Sequence, residues 1–305
     1  MLRMDLLLIF VFFLLMYYVV RPFYFAWLFT RPLRFRIKFF TPTSMGVEYE
    51  DIKLRSKDGT QLEGWYIKSR NGAAVILLHG HNSSRLMMSF YAERLVRAGY
   101  GVLMFDLRAH GNSDGRHFAR SQREVDDVLT AVTWLSKHSD INAAGIGVVG
   151  VSLGGLFALQ ATAQTVAIRA VWVDGASPAN FADYFPPYSL YSRYQLLLER
   201  YYLGLITWMS KRPSLPANVE ILPKIAPRPV HFVSAGKRGE QRLVRRYFDH
   251  AADPKTLWEI PEARHAEGCH KRREEYGRKL VAFFDQNLVR TNNSSRVILP
   301  EREDG

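Results

Sequence analysis

From residue 73 onward, short, nearly continuous apolar runs take turns with longer stretches in which apolar residues recur at helical spacing. The runs at 73–78, 101–105, 146–149, 170–173, 230–234 and 256–260 have strand length and are nearly continuously apolar. Strands buried on both sides of a sheet read this way. The stretches between them, about 85–98, 121–137, 154–164, 240–251 and 271–288, carry the period of helices with one face inward. Upstream, 48–55 and 61–68 alternate around Lys57-Asp58-Gly59, a turn sequence, and predict an antiparallel hairpin. The pattern therefore predicts one α/β domain over 48–290. It has a mostly parallel, twisted sheet of about eight strands with helices on both faces. Ligands of such sheets sit beyond the carboxyl ends of the strands.

Two segments break the alternation. Residues 177–226 carry nine aromatics between Phe181 and Trp208, and are expected to form a lid or pocket wall over the site. At the other end, residues 6–20 form an unbroken apolar run, continued after Arg21-Pro22 by 23–29. This predicts one N-terminal transmembrane helix within 1–30, completed by flanking aromatics and a snorkelling Arg21. The bulky residues from 17 to 29 leave no small-x-small cleavage site, which disfavours a removable signal peptide. A basic juxtamembrane linker, 31–47, follows. Arg21, Arg31, Arg34, Arg36 and Lys38 lie after the span, against Arg3 offset by Asp5 before it, so the folded domain is expected on the cytoplasmic side. Residues 291–305 read as a polar tail.

The candidate chemistry starts at Gly150-Val151-Ser152-Leu153-Gly154-Gly155, between the strand at 146–149 and a helix. A serine flanked by glycines on such a turn stands exposed at the strand end as a nucleophile. A hydroxyl needs a base, and the base needs an orienting carboxylate. His265 lies in the polar loop after the strand at 256–260, where a base would come from. For the acid, Glu240 is the first carboxylate after the strand at 230–234, with Arg238, Arg242, Arg245 and Arg246 beside it to hold it ionised. Asp174, ending the strand at 170–173, is the alternative. A developing oxyanion needs backbone donors, and the amides of Leu153 and His81 are expected to supply them. His79 reads as structural. Neither His79 with His81, nor His265 with Cys269 and His270, completes a zinc ligand set, so no metal is expected.

On these residues the chain resembles the α/β-hydrolase superfamily, in its dienelactone-hydrolase-like and serine-aminopeptidase-like branch. The resemblance spans roughly 48–288. It rests on His79-Gly80, on Asp106-Leu107-Arg108-Ala109-His110-Gly111-Asn112-Ser113, on the serine turn and on His265. It implies an α/β-hydrolase fold and a chiefly structural role for the loop around Asp106, so that Arg108 and His110 do not react. Family members commonly carry Asp where this chain offers Glu240.

Length and composition fit this reading. The 305 residues, 48% apolar, can bury one core plus an appendage, and the single cysteine excludes an intramolecular disulfide. The net charge of +12 suits an anionic lipid surface, and no nucleic-acid motif accompanies it. The expected activity is a membrane-anchored serine hydrolase acting without a cofactor on an ester, thioester or amide of a small, apolar acyl substrate, ester cleavage being favoured over peptide cleavage. Acyl transfer through the same intermediate, or a non-catalytic tethered binding protein on this scaffold, are the alternatives.

Overall fold

Eight strands form one sheet in the order β1-β2-β4-β3-β5-β6-β7-β8. They are β1 (Glu50–Arg55), β2 (Gln61–Ile67), β3 (Ala74–Leu78), β4 (Gly101–Phe105), β5 (Ile146–Val151), β6 (Ile168–Asp174), β7 (Val230–Ala235) and β8 (Lys255–Ile260). In this computed structural model, residues 2–35, 41–142 and 145–289 are described. β1 and β2 pair antiparallel, as do β2 and β4, and every other pairing is parallel.

The ten helices among the described residues are α1 (Leu2–Leu15), α2 (Arg21–Thr30), α3 (Ser89–Arg97), α4 (Gln122–Leu135), α5 (Leu153–Gln164), α6 (Leu190–Ser210), α7 (Asn218–Ile221), α8 (Arg238–His250), α9 (Gly268–Lys271) and α10 (Arg273–Leu288). Because side chains alternate along a strand, β3 feeds both faces of the sheet. Ile76 and Leu78 join the core with Leu156 and Phe157 of α5, while Val75 and Leu77 join the other with Tyr91 of α3 and Leu280 of α10. Each such buried aliphatic side chain stabilises the fold by about 1.5–3 kcal/mol. Two layers of helix on a parallel sheet leave its carboxyl edge as the open rim.

Two helices differ from the periodicity. The stretch at 85–98 opens with a 3-10 turn, Arg85–Met88, because Arg85 is pulled inward: its amide donates to Asp106 Oδ1 (2.8 Å) and its guanidinium to Asp106 Oδ2 (3.1 Å). The stretch at 271–288 is broken at Arg272, whose backbone leaves the helical region (φ −123°, ψ 50°) while its guanidinium reaches Glu262 (2.5 Å).

α1 and α2 run through a π-helical stretch, Met16–Val20, as one rod. Residues Met4–Thr30 of it, 27 in all, are long and apolar enough to cross a membrane. At about 40 Å it exceeds a hydrocarbon core of about 30 Å. The surplus is docked on the domain. Ala26, Phe29 and Thr30 are buried, α2 packs on α6, and the Phe118 amide donates to the Thr30 carbonyl (3.0 Å). Beyond the rod, Leu33 N donates to Asn82 Oδ1 (3.2 Å) and Arg34 Nη1 to the Ser113 carbonyl (3.0 Å). The sequence division into anchor, linker and domain is thus crossed by direct contacts. Part of the expected linker, 36–40 with Arg36 and Lys38, and the expected tail 291–305 lie outside the described residues.

Candidate active site

Ser152 joins the end of β5 to the start of α5 with φ 56° and ψ −115°. A non-glycine residue in such a region stores about 1–3 kcal/mol of strain, and persists only where its surroundings fix it. Here the Ser152 amide donates to the Asp174 carbonyl (2.8 Å), and its carbonyl accepts from the amides of Ser177 (3.0 Å) and Leu156 (3.2 Å). The turn is tight because Gly154 lies against β3: a Cβ there would stand 2.1 Å from the Leu78 carbonyl oxygen.

The loop after β3 closes on the same serine, since a Cβ on Gly80 would lie 3.3 Å from Ser152 Cβ. His79 is fixed at both nitrogens. Its Nε2 accepts from the Leu107 amide (2.9 Å), which makes Nδ1 the donor to the Gly80 carbonyl (2.7 Å). Burial pushes its pKa down to about 4. His81 packs differently. Its ring is stacked between Phe29 (centroids 4.4 Å) and Phe118 (5.4 Å), and neither ring nitrogen has a partner. Burial, then the nearby His110 and Arg120, lowers its pKa to about 3, so the ring is a neutral wedge. Among the described residues, the amides of His81 and Leu153 donate to no loop, cap or side-chain acceptor.

His265 Nδ1 donates to Glu240 Oε2 (2.8 Å), and the Ala235 amide donates to Glu240 Oε1 (2.9 Å). Burial alone would raise the Glu240 pKa, but those two donors bring it below its ordinary value. The flanking arginines contribute less than the sequence suggested. Arg245 pairs with Glu259, and Arg242 and Arg246 lie over the Phe185 ring. The Glu240 hydrogen bond in turn raises the His265 pKa. Gly175 forms the floor of this pair. At φ +58°, a Cβ on it would meet His265 Cε1 at 2.9 Å and Glu240 Oε1 at 3.0 Å. Ser152 Oγ lies 3.4 Å from Ser177 Oγ and makes no hydrogen bond to His265 in this conformation. Ser177 thus touches the serine, and Gly175, two residues before it, packs against the imidazole.

Asp174 does not bond His265. Its buried carboxylate accepts from Tyr276 Oη (2.8 Å) and Tyr91 Oη (3.4 Å). Burial raises its pKa to about 6. The loop around Asp106 is internal scaffolding. Arg108 is buried on Asp127 (2.6 and 2.7 Å) and Asp58 (2.8 Å), and His110 Nδ1 donates to the Arg108 carbonyl (2.9 Å). Among the described residues, no group of three or more His, Cys, Asp or Glu gathers as a metal site.

Beside His265 and Glu240 opens a cavity of about 590 Å³, walled by Gly175, Ser177, Tyr184, Phe185, Tyr188 and Tyr191 among others. Of the aromatics between 181 and 208, these four tyrosines and phenylalanines face the cavity, whereas Tyr194, Tyr202 and Trp208 meet the N-terminal rod. Ser177, Gly175 and the two tyrosines on Asp174 escaped the sequence reading. Position alone, immediately after a strand of a parallel sheet, could have marked Gly175 and Ser177.

The profile of the family described as "Alpha/beta hydrolase family" matches residues 75–276, and the chain belongs to that family. The uncharacterized protein YfhR of Escherichia coli O157:H7 is 26% identical over 258 residues, covering 80% of this chain and 83% of that protein. The thiohydrolase aneE of Aspergillus aculeatus is 31% identical over 127 residues, 40% of each chain. Among solved structures, an esterase of Pyrococcus furiosus superposes with a TM-score of 0.66 at 25% identity, covering 85% of this chain and 98% of the esterase. A dienelactone hydrolase of Anabaena variabilis shares the fold at 19% identity and a TM-score of 0.59, over 79% of this chain and 98% of its own.

Proposed function

We propose that this chain is a membrane-anchored serine hydrolase that cleaves a carboxylic ester or thioester of an apolar acyl group. The observation that carries the reading is the Glu240–His265 hydrogen bond, 2.8 Å, at the carboxyl edge of the sheet that also presents Ser152 on a strained turn. Glu240 holds Nδ1 protonated, which leaves Nε2 as the free base. In the reaction Ser152 Oγ attacks the substrate carbonyl as His265 Nε2 takes its proton. The amides of Leu153 and His81 stabilise the resulting oxyanion. The imidazolium then protonates the leaving alcohol or thiol, and water, deprotonated by the same imidazole, releases the acid. Hydrogen bonds of this kind are often long or poorly aligned in resting enzymes and tighten around substrate, so for this reading Ser152 Oγ must leave Ser177 and meet His265 Nε2 in the substrate complex.

The aromatic cavity wall favours an apolar acyl group, and the names of the similar esterase and thiohydrolase agree with ester or thioester chemistry. The 27-residue apolar rod favours residence at a membrane. A fluorophosphonate probe tests the reading: it labels the wild type and not Ser152→Ala. Equal labelling of both, or of neither, would leave a binding protein on a hydrolase scaffold.

A further inference from the structure

We propose that α6 is a second bilayer contact, which lays the mouth of the cavity in the headgroup layer of an anionic leaflet, so that the acyl substrate enters from the membrane. This rests on the reading above and adds the substrate's physical state and its route.

Leu190, Tyr194, Leu197, Tyr201 and Trp208 are spaced by four, three, four and seven residues, which puts them on one face of α6. Leu190 is 83% exposed, Trp208 68% and Leu197 65%, while Leu203 and Ile206 on the opposite face are buried in the domain. An exposed apolar stripe of this length is rare on a protein bathed only in water. Continuity with the rod says what covers it. Tyr194 Oη donates to Tyr18 Oη (3.1 Å), and the Trp208 ring lies 6.4 Å from that of Phe23. Phe23, Tyr24, Phe25 and Trp27 of the rod are themselves exposed beside it. A rod in lipid therefore brings the stripe to lipid. The stripe's mix of Leu, Tyr and Trp suits the boundary between acyl chains and water, where an in-plane amphipathic helix lies.

The polar flank fits the same surface. Arg193, Lys211 and Arg212 are exposed and form no ion pair among the described residues, as expected of groups that meet lipid phosphates. The cavity opens at this level: Tyr191, 71% exposed, lines it one turn of α6 from Tyr194, and Tyr188, 76% exposed, lines it just before α6 begins. A substrate whose acyl chain lies in the leaflet thus reaches the site along an apolar path.

The test uses the full chain in vesicles of phosphatidylcholine and phosphatidylglycerol. A polarity-sensitive fluorophore on Leu197→Cys, in a Cys269→Ser background, is quenched by nitroxide-bearing lipid, whereas one on Thr133→Cys of α4 is not. Water-like emission at 197 overturns the proposal. So does a fluorophore there that is shielded from iodide yet untouched by the lipid nitroxide, since a protein would then cover the stripe. For the route, Leu190→Glu/Leu197→Glu and the milder Leu190→Ser/Leu197→Ser retain turnover of dissolved p-nitrophenyl butyrate within twofold. Both lose tenfold or more on a long-chain ester embedded in the vesicles, the glutamate pair more than the serine pair. Unchanged turnover of the embedded ester, or parallel loss on both substrates in both pairs, overturns it. Fluorophosphonate labelling of Ser152 in the same samples reports on the hydrolase reading separately, because the quenching arm does not depend on turnover.

Discussion

The ring of Phe29, in the last turn of α2, stacks on the ring of His81 with centroids 4.4 Å apart and planes at 30°. His81 belongs to the loop that flanks Ser152, so the N-terminal rod is part of the wall behind the proposed oxyanion donor. With no hydrogen bond to either ring nitrogen, packing against Phe29 and Phe118 is what holds this side chain. The peptide that carries its amide is held as well at the Gly80 carbonyl, which accepts from His79 Nδ1 (2.7 Å).

Replacing Phe29 by Leu keeps apolar bulk and removes the stack. It is expected to cost less than about 1.5 kcal/mol of stability, but about tenfold in kcat through a displaced donor. Chemical denaturation and steady-state kinetics on one soluble ester check this. An unchanged kcat would reduce the stack to packing alone.

Glu240→Gln and Asp174→Asn separate the two carboxylates. Loss of the orienting charge on His265 in Glu240→Gln is expected to lower kcat by about 10²–10⁴ with little change in KM. Asp174→Asn leaves the Glu240–His265 hydrogen bond in place and is expected to retain most turnover. The reverse ranking would transfer the role to Asp174.

The acid limb of kcat/KM follows from the same contact. Glu240 raises the His265 pKa above its ordinary 6.5, and a general base works only when neutral, so activity is expected to rise with pH through that elevated value. In Glu240→Gln the limb is expected to move to lower pH. A pH–rate profile in which both enzymes share one limb would contradict the geometry.

Asp174 gives a stability signature of opposite habit to most carboxylates. Its pKa is raised from 3.8 to about 6 by burial, so between those values the folded state holds a proton that the unfolded chain releases. The contribution is full below pH 3.8 and is lost as pH rises through about 6, at most about 3 kcal/mol in all. Urea denaturation of the wild type and Asp174→Asn between pH 4 and 7 should show the wild type's margin over the variant shrinking as pH rises. A margin independent of pH would refute the assignment.

Ser152→Gly and Ser152→Ala are both expected to abolish turnover, but only glycine relaxes the φ of 56°. The glycine variant is expected to be the more stable by about 1 kcal/mol, read from paired denaturation curves.

Local signals were legible in the sequence wherever a few adjacent residues decide the outcome. The strand at 101–105 and the serine turn carry their own apolar run and glycines, and each was readable within a residue or two. The acid was not. Glu240 follows one strand and Asp174 ends another at the same edge, and what gives Asp174 other partners than His265 is Tyr276 and Tyr91, brought onto it from α10 and α3 by the packing of one face. The contact of Phe29 with His81 was invisible for the same reason, since the apolar run from 23 to 29 reads identically whether lipid or protein covers it. The break at Arg272 depends on Glu262 in the preceding loop, a partner that periodicity cannot see.

The docking of Ala26, Phe29 and Thr30 into the body of the protein has a mechanical corollary. A catalytic unit on a slack leash would tumble and sample many heights above the surface that holds it. Here the last turn of the rod is packed into the body, so in the proposed membrane-bound state the tilt of the one sets the attitude of the other. Mutating the rod's far end to change its lean should re-aim the reactive edge without touching a single residue near Ser152.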